Sequence, residues 1–300
     1  MQTTSTILMV RPAKFAFNTE TATNNQFQKA TDQAQVNEKA IEEFDRYVEL
    51  LRRNGIEVIV VQDTAEPHTP DSIFPNNWFS THATGELVLY PMFAPNRRQE
   101  RKEAVLDYLR NDYKPKKTID LTHYEEKGLF LEGTGSMIID HNKKVVYACR
   151  SPRTDETVFN DFCHQMQMQP LLFSSKDSQG QPIYHTNVML AIGEKMAVIC
   201  SESITDKQEK ESVLSSLKNA GKEIVDISQE QVKEFAGNML EVQNKRKKTF
   251  LIMSARAKKS LTNAQISQIE KYDTILAPDL AIIETNGGGS ARCMLAEIFK

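Results

Sequence analysis

Five polar residues recur at near-constant spacing: Asn77, Glu132, Asn187, Asn238 and Cys293 follow one another at intervals of 55, 55, 51 and 55 residues. Each opens an apolar, strand-like run. Examples are Asn77-Trp78-Phe79, Asn187-Val188-Met189-Leu190 and Cys293-Met294-Leu295, while Glu132-Gly133 leads on to Met137-Ile138-Ile139. A fixed period of this size means that one supersecondary unit recurs. If the copies close on themselves, a thiol, a carboxylate and three amides share one centre. His185, two residues before Asn187, is the only one of the six histidines placed beside a point of the period. That set suits nucleophilic chemistry at an electrophilic carbon. A cysteine attacks as thiolate, an imidazole moves the protons, and a carboxylate orients the imidazole and favours its charged form. Cys293 follows Asn286-Gly287-Gly288-Gly289-Ser290-Ala291-Arg292, and three glycines permit backbone shapes and a close substrate approach denied to other residues. The plainer alternatives are an idle thiol after a flexible loop, a structural imidazole and a turn carboxylate. The shared period favours catalysis.

Elements able to carry these residues are readable between them. Ile41, Phe44, Val48 and Leu51 recur at helical spacing between Val36 and Arg53, Asn54-Gly55 stops the helix, and Ile56 to Val61 reads as a strand. The second unit has strand-like Trp78-Phe79 and Leu87 to Tyr90, then a charged helix from about Arg98 to Arg110. In the third, Ser136 to Asp140 and Lys144 to Ala148 flank a turn at His141-Asn142, and a helix carries Val158, Phe159 and Phe162. The fourth runs from Asn187 through a Gly193-Glu194 turn to Met196–Cys200, then a helix ended at Gly221. The fifth has strands at Asn238 to Val242 and Phe250 to Met253, with a helix from Leu261 whose Thr262 and Gln265 make a capping box. Thr274 to Leu276 is its last strand, followed by a long approach through Ala281-Ile282-Ile283 to Cys293. The order β, β, α, β repeats. The expected fold is therefore α/β: a five-bladed β/α-propeller of ββαβ units with pseudo-five-fold symmetry, filling residues 1–300 as a single domain.

Composition bounds the function. Lys+Arg 37 against Asp+Glu 40 gives a net charge of -3, and a pI near 6.1 with no large basic face argues against a nucleic-acid partner. The Lys245-Arg246-Lys247-Lys248 run reads as an exposed hairpin tip. No run approaches the length of a membrane helix and no basic leader opens the chain, so a cytoplasmic protein with no membrane partner is expected. Cys149, Cys163, Cys200 and Cys293 match neither a metal nor a disulfide spacing. They read as reduced thiols, the first three belonging to the core. His68, His82, His123, His141 and His164 show no ligand spacing with cysteine or carboxylate, so neither a metal nor a cofactor is expected.

Taken together, Asp71-Ser72-Ile73-Phe74-Pro75-Asn76-Asn77, Glu132-Gly133, Ser151-Pro152-Arg153-Thr154, His185-Thr186-Asn187 and the glycine-led Cys293 resemble the guanidino-modifying enzymes of the pentein fold. These are arginine deiminases, dimethylarginine dimethylaminohydrolases and amidinotransferases. The resemblance spans essentially the whole chain, in order. It implies Cys293 as nucleophile, His185 as acid and base, and Glu132 as its partner. It further implies Arg97 and Arg153 as ligands of a substrate α-carboxylate, Asp71 as holder of an α-ammonium, and Phe74 as a wall for the aliphatic stem. A guanidinium fork matches a carboxylate bidentately.

The departures from that family matter as much. Where deiminases set aspartates against a guanidinium, this chain has Asn77 and Asn187, and the Glu-Gly-Gly-Asp stretch reads Glu132-Gly133-Thr134-Gly135. A cation in a dry pocket needs anionic partners. Two amides suit a neutral ureido group, which both donates and accepts hydrogen bonds. The pattern is similar to the citrulline-hydrolysing branch, which forms ornithine, ammonia and carbon dioxide. The expected partner is thus a small amino acid. The alternatives are a hydrolase or deiminase of arginine, methylarginine or agmatine with Asp71 supplying charge, an amidinotransferase, and a noncatalytic propeller with an unreactive buried thiol. Oligomeric state stays open, a homodimer included. Phe15 to Gln35 and Ser174 to Gln181 are the lid candidates.

Overall fold

Fifteen strands form five sheets of three in the computed structural model, which describes residues 1–32 and 34–300. The strands are β1 (Thr6–Arg11), β2 (Glu57–Gln62), β3 (Phe79–Thr81), β4 (Glu86–Leu89), β5 (Lys117–Asp120), β6 (Met137–Asp140), β7 (Val145–Cys149), β8 (Gln169–Phe173), β9 (Leu190–Ile192), β10 (Met196–Ile199), β11 (Glu223–Asp226), β12 (Leu240–Gln243), β13 (Thr249–Ile252), β14 (Thr274–Leu276) and β15 (Ala296–Glu297). Four sheets repeat one plan: β3-β4-β5, β6-β7-β8, β9-β10-β11 and β12-β13-β14. The first two strands of each are antiparallel and the third returns parallel to the second. Helical segments fill each crossover, as a parallel return requires. The fifth sheet, β15-β1-β2, follows the same plan with its first strand supplied by the far end of the chain, Ile7 facing Glu297 and Leu8 facing Ala296. Sequence periodicity gives no hint of that pairing.

Middle strands such as β7, Val-Val-Tyr-Ala-Cys, are buried along their whole length, as β-branched and aromatic runs between two covered faces should be. The helix Val36–Arg53 buries Ala40, Phe44, Tyr47, Val48 and Leu51 and turns most of its charged residues outward, Glu43 excepted. The Thr262/Gln265 capping box forms, and Ser228 with Gln231 makes a second. Buried apolar residues gather in four clusters. Cys149, Cys163 and Cys200 lie inside them, and burial pushes the Cys163 thiol up to about 12 and the Cys200 thiol to about 11.

Two helices differ from expectation. The segment read as one helix from Arg98 to Arg110 is a turn at Pro95–Arg98 and a helix at Glu103–Tyr108. The chain leaves the helix between them, where buried Glu100 turns inward to Arg97. The approach to Cys293, given no element by the sequence, contains a helix at Ala281–Gly287. Its first amides are accepted by buried Glu43, at 2.9 Å from Ile282 N and 3.0 Å from Ile283 N. Among the described residues no helix is long and apolar enough to cross a membrane.

The five periodic residues occupy one structural position. Asn77 ends the turn Pro75–Asn77 before β3, Glu132 caps Gly133–Ser136 before β6, and Asn187 lies in Thr186–Val188 before β9. Asn238 precedes β12, and Cys293 lies in Ala291–Met294 before β15. A tight turn ahead of the first strand frees each side chain from the alternation of the strand faces.

Candidate active site

The turns converge as the period requires. His185 Nε2 lies 2.8 Å from Glu132 Oε2, and Asn187 Nδ2 and Asn238 Nδ2 lie 3.5 Å and 3.2 Å from Cys293 Sγ. One cavity is lined by Asp71, Phe74, Asn77, Arg97, Arg153, Tyr184, His185 and Cys293, with Gly287 to Gly289. Asn187 reaches the sulfur but not the cavity wall. Gly135 allows the close approach, since a Cβ there would sit 2.8 Å from His185 Nδ1 and nearer still to Asn77 Nδ2.

Glu132 is wholly buried and organises the centre. Its Oε1 accepts from Phe93 N at 3.0 Å, while Oε2 faces His185, Arg153 Nη1 at 3.4 Å and Arg97 Nη1 at 3.9 Å. Burial works to raise this carboxyl, but Arg153, the His185 hydrogen bond and Arg97 together hold it well below the usual carboxylate range. His185 is pushed down to about 4, chiefly by burial, against the pull of Glu132. At neutral pH the imidazole is therefore uncharged. Its Nε2–H donates to Glu132, and Nδ1 is the nitrogen left with a lone pair.

Arg97 and Arg153, grouped together as carboxylate ligands by resemblance, differ in availability. Arg97 spends four hydrogen bonds inside the protein: a bidentate pair with Glu100 at 2.8 Å and 3.0 Å, one to Asn77 Oδ1 at 2.8 Å and one to Phe74 O at 3.1 Å. Its planar fork thus clasps Glu100, while the residue itself lines the cavity. Arg153 instead turns its fork to the segment 18–28. It donates to Thr21 O at 3.0 Å and through two nitrogens to Asn24 Oδ1, and its guanidinium lies 5.0 Å above the Tyr184 ring. Asp71 Oδ2 accepts from Asn18 and Thr21, and its buried Oδ1 has no protein partner.

That segment belongs to the first lid candidate, of which residue 33 lies outside the described residues. Asn18, Thr21, Asn25 and Gln28 are buried. Asn25 donates to Gly288 O at 3.2 Å, and Tyr184 Oη donates to the same carbonyl at 3.0 Å. Gly288 has φ +64°, and a Cβ there would press into Gln28 and Asn25. With these residues in place the cavity holds about 20 Å³, room for a single water. Sequence reasoning missed Glu100, Tyr184 and the inward residues of this segment. For Glu100 the signal was its i,i+3 spacing from Arg97.

Beyond the site His82 is buried and His141 half-buried, and with His185 they set a pH dependence. Burial lowers His82 to about 4 and His141 to about 3 from an ordinary 6.5. An unfolded chain regains ordinary values, so it binds protons the folded chain refuses, and stability falls as pH drops below 6.5 toward these values. Glu43, Glu100 and Glu241 act oppositely. Burial raises them from 4.5 to about 7, about 7 and about 8, giving stability that is present below pH 4.5 and lost as pH rises through 7 to 8. Between pH 4.5 and 6.5 the two sets largely offset. The melting temperature should stay nearly level between pH 4.5 and 6.5, falling below pH 4.5 and falling again toward pH 8. A calorimetric series rising steadily from pH 6.5 to 9 would contradict this.

The family described as N,N dimethylarginine dimethylhydrolase, eukaryotic, has a model that matches residues 11–300. Among solved structures, the substrate-bound N-terminal domain of ArgZ, an arginine dihydrolase from the ornithine-ammonia cycle in cyanobacteria, aligns with a TM-score of 0.77 at 15% identity, covering 98% of both chains. Unliganded AgrE aligns with a TM-score of 0.77 at 15% identity, covering 98% of this chain and 39% of that one. A dimethylarginine dimethylaminohydrolase, as its adduct with S-methyl-L-thiocitrulline, aligns at 0.67 and 14% identity over 97% and 98% of the two chains. At these identities the likeness is one of fold. This chain spans 40% of full-length ArgZ. No match is found among curated proteins.

Proposed function

Because the chain belongs to the N,N-dimethylarginine dimethylhydrolase family, and is thus a pentein hydrolase acting on C–N bonds through a cysteine, we propose that its substrate is a free amino acid with a terminal ureido group, citrulline above all. The reaction is citrulline plus water to ornithine, ammonia and carbon dioxide. On this reading residues 1–300 are one catalytic domain, with the five sheets set as propeller blades around the site in pseudo-five-fold symmetry. The β15–β1 pairing supports such closure.

The observation that carries the substrate is the orientation of two amides. Asn77 Oδ1 accepts from Arg97, so its NH₂ points away and has no protein partner; Asn187 spends its NH₂ on Cys293 Sγ, which leaves its Oδ1 without one. A spare donor on the cavity wall and a spare acceptor beside the sulfur, reached by substrate once segment 18–28 opens, match the C=O and NH₂ of a ureido group. The nearby carboxylates Glu132 and Glu100 are already paired with His185, Arg153 and Arg97, so a guanidinium would find few free anions. Arg153 takes the α-carboxylate in place of Asn24 and Thr21. Asp71 takes the α-ammonium at its free Oδ1, which offsets the upward push of burial on this carboxyl. Phe74 lines the stem. Entry requires segment 18–28 to open.

Neutral His185 removes the proton of the Cys293 thiol through Nδ1, and the thiolate adds to the ureido carbon. The imidazolium returns that proton to the departing nitrogen and ammonia leaves, giving a carbamoyl thioester. His185 next takes a proton from water, whose oxygen adds to the thioester carbon while the sulfur departs and regains a proton. The released carbamate loses carbon dioxide to give ornithine. Glu132 holds the imidazole tautomer throughout.

The guanidine reading also has support: the family name, and the free oxygen of Asp71. Release of ornithine and ammonia from citrulline, with arginine, dimethylarginine and agmatine in parallel and Cys293→Ala as blank, decides between them. Turnover of citrulline, abolished in the blank, is expected; turnover of a guanidine alone would sink the ureido reading.

A further inference from the structure

Asn238 is the one member of the five-point period left without a role above. Its carboxamide orientation is fixed by chemistry, because Oδ1 accepts at 3.0 Å from the backbone N–H of Arg292, a group that can only donate. The NH₂ must then face the other way, where Cys293 Sγ and the Asn187 carbonyl oxygen each lie at 3.2 Å. Asn238 is 2% exposed and Cys293 5%, so solvent does little for charge on the sulfur. Asn187 Nδ2, from a different repeat, comes to the same sulfur at 3.5 Å. Before proton transfer, uncharged His185 brings no positive charge to the thiol.

We propose that Asn238 is a catalytic residue: its Nδ2–H donates to the Cys293 sulfur and holds the negative charge that atom carries before it attacks and again as it leaves. The same amide, through Arg292 N and Asn187 O, fixes the thiol relative to the neighbouring repeat. Hydrogen bonds to a charged acceptor are the strong ones, and with solvent excluded the nearer of the two amide N–H groups at the sulfur joins the imidazolium formed on proton transfer in replacing the hydration of the thiolate. The inference rests on Cys293 as nucleophile and is independent of which carbon it attacks.

The test reads the thiol itself. Iodoacetamide alkylation of Cys293, located by mass spectrometry, is timed from pH 5 to 10 in the native protein and in Asn238→Ala and Asn238→Asp. The first loses the donor, and alkylation at pH 7 should slow about tenfold. The second is nearly isosteric and keeps an acceptor for Arg292 N, but sets a carboxylate against the sulfur; it should slow about a hundredfold or more. In both, the midpoint of the pH profile should move upward, which mere loosening of the site would not produce. A folded Asn238→Asp variant that alkylates at the native rate with an unmoved midpoint overturns the proposal. Should both variants unfold, the native protein answers alone: the Asn238 side-chain NH₂ resonances must shift as Cys293 titrates, and their staying fixed overturns it equally. Loss of citrulline turnover with this alkylation pattern intact would sink only the substrate reading. A Cys293 no more reactive than Cys149, Cys163 or Cys200 would sink both.

Discussion

Glu132→Gln should lower kcat by about 10⁴-fold, and the reason is which way the new amide must face. Oε1 of Glu132 accepts from Phe93 N, so a glutamine keeps its oxygen there and places its NH₂ against His185 Nε2. Two N–H groups cannot share that contact. The imidazole proton moves to Nδ1, the nitrogen that should receive the thiol proton, and the base is lost. Removing the anion also leaves Arg97 and Arg153 facing each other with less compensation at the heart of the site, which should destabilise the fold by about 3–5 kcal/mol. Activity measured well below the lowered melting temperature separates the two effects. Turnover within tenfold of the native enzyme under those conditions would show that Glu132 does not set the tautomer.

Asn77→Asp with Asn187→Asp should invert the balance between neutral and cationic substrates. The first change replaces the spare NH₂ beside His185 and Gly135 by an oxygen; the second withdraws an N–H from Cys293 Sγ and adds negative charge there. Loss of a donor to a carbonyl oxygen that gains charge in the transition state costs about 10²–10³ in kcat. For citrulline, kcat/KM should therefore fall by at least about 10²-fold. Arginine gains two anionic partners for its guanidinium, so the ratio of the two specificity constants should move by about 10³ or more. Asn77→Asp alone leaves the sulfur untouched and so isolates the part of the citrulline loss that comes from substrate recognition. Citrulline kinetics unchanged in the double variant would remove the amide argument.

Much of this was legible in the chain because it depends on local rules repeated five times. Apolar spacing placed the helix at 36–53, hairpin turns placed most strands, and Thr262 with Gln265 announced a capping box that forms. The period picked out Asn77, Glu132, Asn187, Asn238 and Cys293, since a unit that recurs in sequence sets equivalent residues at equivalent points. What stayed hidden depends on partners far away in the chain. The two ends of the protein share a sheet through β15 and β1. Residues 18–28, an irregular stretch by sequence, present Thr21 and Asn24 to Arg153, more than 120 positions on. The direction of each amide was equally beyond reach, because an asparagine has two nearly identical ends until a neighbour with only donors or only acceptors settles it. Residue types alone thus determined that a thiol, an imidazole and a carboxylate would meet. Packing decided that Arg97 is spent on Glu100, that Arg153 turns its fork to residues 18–28, and which hydrogen-bonding end Asn77 and Asn238 turn to the site, since these follow from contacts that exist only once the repeats are brought together.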